Sequence, residues 1–172
     1  MKLFGIAGWS GSGKTTLLTR LIPELAARDV TVSTFKHAHH EFDIDLPGKD
    51  SYEHRRAGAR EVMVSSANRW AIVHELRGDE EPPLEALLAK MGPVDLVLVE
   101  GFKHEGHEKL EVFRPSVGKP PLYPDDPRIV AVASDETIPG LRLPRLDLDD
   151  VAAIADFVLE RCGLARARTR VV

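Results

Sequence analysis

The sequence predicts an α/β fold: three layers, with a mostly parallel sheet, helices on both of its faces and one antiparallel hairpin. Three observations carry that prediction. Leu3, Phe4, Ile6 and Ala7 form a short apolar run that leads into a glycine-rich stretch and then a helical stripe. Val94 to Val99, VDLVLV, is nearly continuous apolar sequence, the pattern of a strand buried on both sides. Ile129 to Ala133, IVAVA, repeats that pattern late in the chain.

The first strand, over residues 3–7, ends at Gly8-Trp9-Ser10-Gly11-Ser12-Gly13-Lys14-Thr15. This matches G-x-x-x-x-G-K-[ST], the phosphate-binding P-loop, and it lies between a strand and a helix as that loop requires. Glycines let the backbone approach a ligand closely. Successive N–H groups and the following helix N-terminus then favour an anion. Lys14 suits the β- and γ-phosphates of a nucleoside triphosphate, and the Thr15 hydroxyl suits Mg²⁺. Lys14 to Arg28 reads as the helix, with Leu17, Leu18, Leu21, Ile22 and Leu25 along one stripe.

Val30, Val32 and Phe35 alternate with threonines, so residues 30–35 read as a second strand and close a right-handed β-α-β unit. Lys36 to Asp50, KHAHHEFDIDLPGKD, has little apolar periodicity and reads as a functional loop at the carboxyl end of that strand. Asp50 or Ser51 is placed to cap a helix over Ser51 to Arg60. Glu61–Ser65 and Arg69–Glu75 read as a hairpin that adds antiparallel pairing to the sheet. Pro82-Pro83 opens a helix over Leu84 to Met91. The buried run 94–99 follows, and Lys109 to Arg114 reads as a further strand. Residues 115–127 hold five prolines and read as loop. After IVAVA, the closing helix is expected over Asp147 to Cys162, capped near Asp147 or Asp149 and ended by Gly163. Residues 1–163 are thus expected to form a single nucleotide-binding domain, and 164–172 a basic, mobile tail.

Bulk properties bound the function. With 172 residues, 43% hydrophobic and 29% charged, the chain has an ordinary globular balance. A net charge of −4 gives no sign of a nucleic-acid binder. The single cysteine, Cys162, excludes an internal disulfide framework and an all-cysteine zinc site, and points to a reducing, cytoplasmic setting. Cys162 reads as a core residue. No apolar run approaches membrane-spanning length, and no signal peptide is expected, since the chain enters a strand directly.

Beyond the P-loop, three further groups carry chemistry. Glu100 ends the buried strand where P-loop proteins place a magnesium-holding carboxylate; Asp95 begins that strand and belongs at the opposite edge. Asp135 follows the IVAVA strand. There it either accepts from guanine N1–H and the 2-amino group, donors that adenine lacks, or caps a turn. His37, His39, His40 and His54 lie among Asp43, Asp45 and Asp50. That segment reads as a zinc or nickel site, as an anion-binding surface, as catalytic positioning with Asp43 or Asp45 orienting a water, or as a polar loop.

Taken together, GWSGSGKTTL at 8–17, FKHAHHEFDIDLPGKDSYEHRRAGA at 35–59, DLVLVEGFKHE at 95–105 and AVASDE at 131–136 resemble the molybdopterin-guanine dinucleotide biosynthesis protein B (MobB) family. The resemblance covers most of the chain. It implies a P-loop NTPase fold that binds GTP, in a homodimer with weak GTP hydrolysis. It also implies a role beside the molybdopterin guanylyltransferase, which joins GMP to molybdopterin to make the guanine dinucleotide cofactor. It assigns phosphate binding to Gly11, Ser12, Gly13, Lys14, Thr15 and Thr16, and supports Glu100 near Mg²⁺ and Asp135 at the base. Two rivals stand beside it. A P-loop small-molecule kinase needs an arginine-rich lid, and none follows Leu84–Met91. A metallochaperone-type GTPase would carry nickel or zinc on the histidines. No arginine finger or water-positioning glutamine is identifiable, so any hydrolysis is expected to be slow; a second subunit or the partner enzyme is left to provide one, with Arg55, Arg56 and Arg69 as candidates.

Overall fold

The computed structural model describes residues 1–38, 42–101 and 106–164. Where the sequence reading takes residues 1–163 as one domain, the backbone groups into two compact units, Met1–His37 with Pro93–Val172, and Ala38–Gly92.

In the first unit, β1 (Lys2–Ala7) runs into α1 (Lys14–Ala26), and β2 (Val32–Lys36) follows. The chain returns as β5 (Leu96–Glu100), β6 (Lys109–Val112), β7 (Ile129–Ser134), β8 (Arg145–Asp147) and α4 (Val151–Cys162). The six strands form one sheet in the order β2-β5-β1-β6-β7-β8, every pair parallel. Strand order reverses at β1, so the loop after it opens at the switch point where such sheets bind ligands. Leu96, Val97, Leu98 and Val99 are fully buried, which is why this strand reads as unbroken apolar sequence. The leucine stripe of α1 and residues Ile154, Ala155, Val158 and Leu159 of α4 enter the same core. Arg28 ties the two helices, donating to Asp156 at 2.5 Å and to the Ala152 carbonyl at 3.0 Å. Leu98→Ala should cost about 2–5 kcal/mol, read from the denaturant midpoint.

Several boundaries move. The last helix starts at Val151, and its cap is Asp150, which accepts from the Ala153 N–H at 2.9 Å; neither Asp147 nor Asp149 caps it. Asp147 instead ends β8, a three-residue edge strand whose Arg-Leu-Asp sequence shows no apolar run. Asp95 sits at the amino end of β5, as expected. Its carboxylate accepts from the Thr31 N–H at 2.8 Å and hydroxyl at 2.6 Å, which pins the start of β5 beside β2. Cys162 is buried, and burial pushes its thiol up, away from nucleophile chemistry.

β6 carries two charges into the interior. Lys109 and Glu111 are both buried; Lys109 bonds Asp126 at 3.1 Å, and Glu111 accepts from the N–H groups of Leu122 and Tyr123 at 2.7 and 2.9 Å. These contacts anchor the proline-rich segment, whose only helical element is a single 3₁₀ turn, Pro115–Val117. Burial pushes the Glu111 carboxyl up.

Just before β6, burial first and then the Lys109 charge push the His107 imidazole below its ordinary value. A depressed histidine makes the native state bind the proton less well than the unfolded chain. Its contribution is therefore complete above about pH 6.5 and is lost as pH falls toward the native value. The urea midpoint should drop as pH falls below about 6.5, and His107→Asn should flatten that decline.

In the second unit, α2 (Asp50–Ala57) begins one residue earlier than expected. Asp50 lies in its first turn, Lys49 takes the cap position without a side-chain bond, and Gly58 ends the helix. β3 (Glu61–Ser65) and β4 (Trp70–His74) pair antiparallel as a separate two-stranded sheet, so the hairpin does not extend the main one. Hairpin pairing is local and legible; its isolation from the parallel sheet is tertiary information. α3 (Leu84–Leu88) is shorter than the predicted Leu84–Met91.

Candidate nucleotide site

The site is built at the carboxyl edge of the sheet. Gly13 is the N-cap of α1 at φ 98°, and no side chain caps the helix, so its first-turn N–H groups face outward for an anion. Gly8 turns the chain out of β1 at φ 140°; a Cβ there would lie 2.5 Å from the Val112 carbonyl oxygen and 2.7 Å from Ser12 Oγ. Lys14 Nζ donates to the carbonyls of Gly8 and Trp9, each at 2.9 Å, and so holds the loop curled around its own ammonium group. Ser12 is buried, and its hydroxyl has no hydrogen-bond partner among the described residues.

A cavity of about 360 Å³ opens over this loop, lined by Ser10, Gly11, Gly13, Lys14, Thr15, Thr16, Lys36 and Glu100. Sheet register explains the far wall: Glu100 lies beside Ile6 of β1 on one side and Lys36 of β2 on the other. The cavity thus faces Lys14 and Lys36 for phosphate charge, and Thr15 and Glu100 as oxygen ligands of the type Mg²⁺ takes. Lys36 is one of the cations behind the anion-binding reading of its segment, with Lys49, Arg55, Arg56 and Arg60. It reaches this cavity as the last residue of the strand beside the Glu100 strand.

On the other side, Trp9 donates its indole N–H to the Pro120 carbonyl at 2.7 Å, and Lys119 lies 6.0 Å from the Trp9 ring centroid. The proline-rich segment therefore packs along the P-loop, a role its composition did not announce. Asp135, after β7, is at an exposed position and ion-paired to Arg114, which also donates to the Ser12 carbonyl.

Asp43 and Asp45 lie in the second unit. Arg55 binds Asp43 at 2.8 Å and Glu75 at 2.6 Å, and its Nε bonds Asp45 at 3.3 Å; a second Arg55 N–H also reaches Asp45. The Arg55 hydrogen bond holds the Asp45 carboxyl below the usual carboxylate range, and the carboxylates in turn raise Arg55. The two aspartates are thus structural partners of an arginine within their own unit. His39 and His40, residues 102–105 of the DLVLVEGFKHE stretch and the tail beyond Leu164 lie outside the described residues. Among the described residues no group of three or more His, Cys, Asp or Glu is placed to hold a metal ion. His37 is described; its N–H donates to the Glu100 carbonyl at 2.8 Å.

Residues 3–135 match the family model of molybdopterin guanine dinucleotide synthesis protein B. The chain belongs to the MobB family. It is 47% identical over 161 residues to the molybdopterin-guanine dinucleotide biosynthesis adapter protein of Escherichia coli K12, covering 92% of this chain and 91% of that one. The Haemophilus influenzae adapter protein is 42% identical over 156 residues, covering 91% and 86%. Among solved structures, a molybdopterin-guanine biosynthesis protein B crystal structure superposes with a TM-score of 0.73 at 29% identity, covering 94% of this chain and 99% of that one. Bacillus subtilis MobB reaches the same TM-score, 0.73, at 22% identity over 94% and 98%, a likeness of fold. The predicted α/β architecture, with its parallel sheet and small antiparallel pair, is therefore the MobB fold.

Proposed function

We propose that this protein is a GTP-binding adaptor in the biosynthesis of the molybdenum guanine dinucleotide cofactor, working beside the guanylyltransferase that joins GMP to molybdopterin. One observation carries the nucleotide half: Lys14, Thr15 and Glu100 line one cavity beside an uncapped helix N-terminus. The adaptor half is supported by likeness to the Escherichia coli and Haemophilus influenzae adapter proteins.

The residues present fit Mg·GTP. Backbone N–H groups over Gly11 to Thr16 and the Lys14 ammonium hold the phosphates, and Lys36 adds a second positive charge to the same cavity. Thr15 and Glu100 hold Mg²⁺, which supplies charge neutralisation to the phosphate chain when bound. Asp135 reads the guanine edge. Its place after β7, two strands from β1, puts it at the same sheet edge as the phosphate cradle.

Hydrolysis at this site is slow. The chain contains no glutamine to orient a water, and Arg55 is committed to three carboxylates. A cytoplasmic setting fits a chain whose single cysteine leaves no internal disulfide to form.

The test is reconstitution: purified guanylyltransferase, molybdopterin and Mg·GTP, with and without this protein. Faster or more complete dinucleotide formation is the expected result. Unchanged rate and yield together, or metal retained stoichiometrically by wild type but not by a His37/His39/His40 triple alanine variant in equilibrium dialysis, would sink the adaptor reading.

The homodimer is supported by the hairpin. Pairing places Met63 opposite Ile72, on the face that also carries Trp70, and these residues are 64%, 44% and 65% exposed. Trp70→Glu combined with Ile72→Glu should convert a species of twice the chain mass to monomer in light scattering, with the far-UV spectrum unchanged.

A further inference from the structure

β6 and β7 end side by side at the edge that carries the P-loop, joined there by the Phe113 N–H bonding the Ala133 carbonyl at 2.9 Å. The next residue on the β6 side is Arg114. Its Nε donates to the Ser12 carbonyl of the P-loop at 3.2 Å, and its Nη1 donates to Asp135 Oδ2. The guanidinium lies over Gly13: a Cβ built on that glycine would meet Nε at 3.4 Å and Nη2 at 3.8 Å. Neither partner dangles in solvent, with 32% of the Arg114 side chain and 28% of the Asp135 side chain exposed.

A guanidinium is planar and its donors keep fixed mutual angles. One fork that reaches a P-loop carbonyl and a carboxylate therefore sets the spacing between the phosphate cradle and Asp135. Base reading needs that spacing. Two parallel hydrogen bonds to guanine N1–H and the 2-amino group discriminate only if the carboxylate is held within about half an ångström of its place. An aspartate on a loop after a strand lacks that restraint unless a neighbour supplies it.

We propose that Arg114 is the positioning residue for base recognition, clamping Asp135 to the P-loop so that a purine seated by its phosphates meets a pre-placed carboxylate. The inference rests on the reading of Asp135 as the guanine acceptor. Arg114 acts through Asp135 and makes no demand on the phosphates. Nothing in the sequence marked it, since it lies between a strand and a run of prolines.

The experiment is calorimetry on the full chain with Mg²⁺ and three ligands, GTP, ATP and inorganic tripolyphosphate, using wild type, Arg114→Ala, Arg114→Lys, Asp135→Ala and the double alanine variant. Arg114→Ala should reduce the GTP-over-ATP preference by about tenfold or more, the scale of a lost charge-assisted bond. Tripolyphosphate affinity should stay within about twofold, because the bare phosphate chain does not use Asp135. Arg114→Lys should not restore the preference, since an ammonium is a point charge without the fork. The double variant should lose no more preference than Asp135→Ala alone. Should Arg114→Ala melt below the assay temperature, Arg114→Lys is read by the same criterion.

If Asp135→Ala loses the preference and the Arg114 variants keep it, the positioning role is wrong and the base reading stands. An equal loss for all three ligands would make Arg114 a phosphate contact and overturn the proposal. If Asp135→Ala itself keeps the preference, base recognition lies elsewhere and the proposal falls with it.

Discussion

Lys14→Ala should abolish useful nucleotide binding while leaving a folded protein. Lys14 is the ammonium of the P-loop, and it shares a cavity with Thr15, Thr16 and Glu100. Removing a charged donor from a phosphate site costs on the order of 3 kcal/mol, about a hundredfold in affinity. The cost to the fold is smaller. In the structure described, Nζ donates to the carbonyls of Gly8 and Trp9. Both belong to a loop at the sheet edge, so the loss is about 1 kcal/mol. Calorimetry with GTP and Mg²⁺, beside a thermal melt, separates the two effects. Unchanged GTP affinity would remove the phosphate site from this loop. Lys14→Arg should recover little, because the site accepts a compact charge threaded between two loop carbonyls and a fork does not fit that space.

Gly8→Ala should damage both stability and binding. Gly8 sits at φ 140°, a conformation that L side chains rarely adopt, and the new Cβ would meet the Val112 carbonyl at 2.5 Å. That oxygen belongs to β6, a strand hydrogen-bonded to β1, and cannot step aside as a flexible side chain would. Backbone strain and overpacking each cost roughly 1–3 kcal/mol, so a total near 3 kcal/mol is expected. For a chain of this size that corresponds to a fall in melting temperature of roughly 10 °C. Nucleotide affinity should fall with it, since the cradle begins at this residue. A melt within about 2 °C of wild type, with normal GTP affinity, would show that the loop tolerates a Cβ here.

Much of the frame was legible before any coordinates. The P-loop, the helix behind it and the strands at 96–100 and 129–134 follow from apolar runs and one glycine spacing. Those signals are local: a strand buried on both faces must be apolar throughout, and a helix on a sheet must carry a stripe. Glu100 was found the same way, as the polar residue that ends a buried strand. β8 escaped because a three-residue edge strand has no periodicity to show. The Asp150 cap carries no distinguishing signal because three aspartates, 147, 149 and 150, crowd the helix start around Leu148, and only backbone geometry selects among them.

Other features belong to tertiary structure alone. Lys109 and Glu111 look like the solvent face of a strand, yet both are buried, because the proline-rich segment folds over them and supplies Asp126 and two backbone donors. Asp43 and Asp45 look free to orient a water, yet Arg55 takes both. Arg114 carries no sequence signal, yet it bonds both the Ser12 carbonyl of the P-loop and Asp135. The P-loop between a strand and a helix is legible from the residues alone, because such a loop is made of backbone and needs only glycines and one lysine in order. Which charged groups face the cradle, and which are consumed in pairing with each other, was decided by the tertiary structure. A side chain's partner lies across the sheet order, and that order brings residues 36, 100, 114 and 135 to one edge.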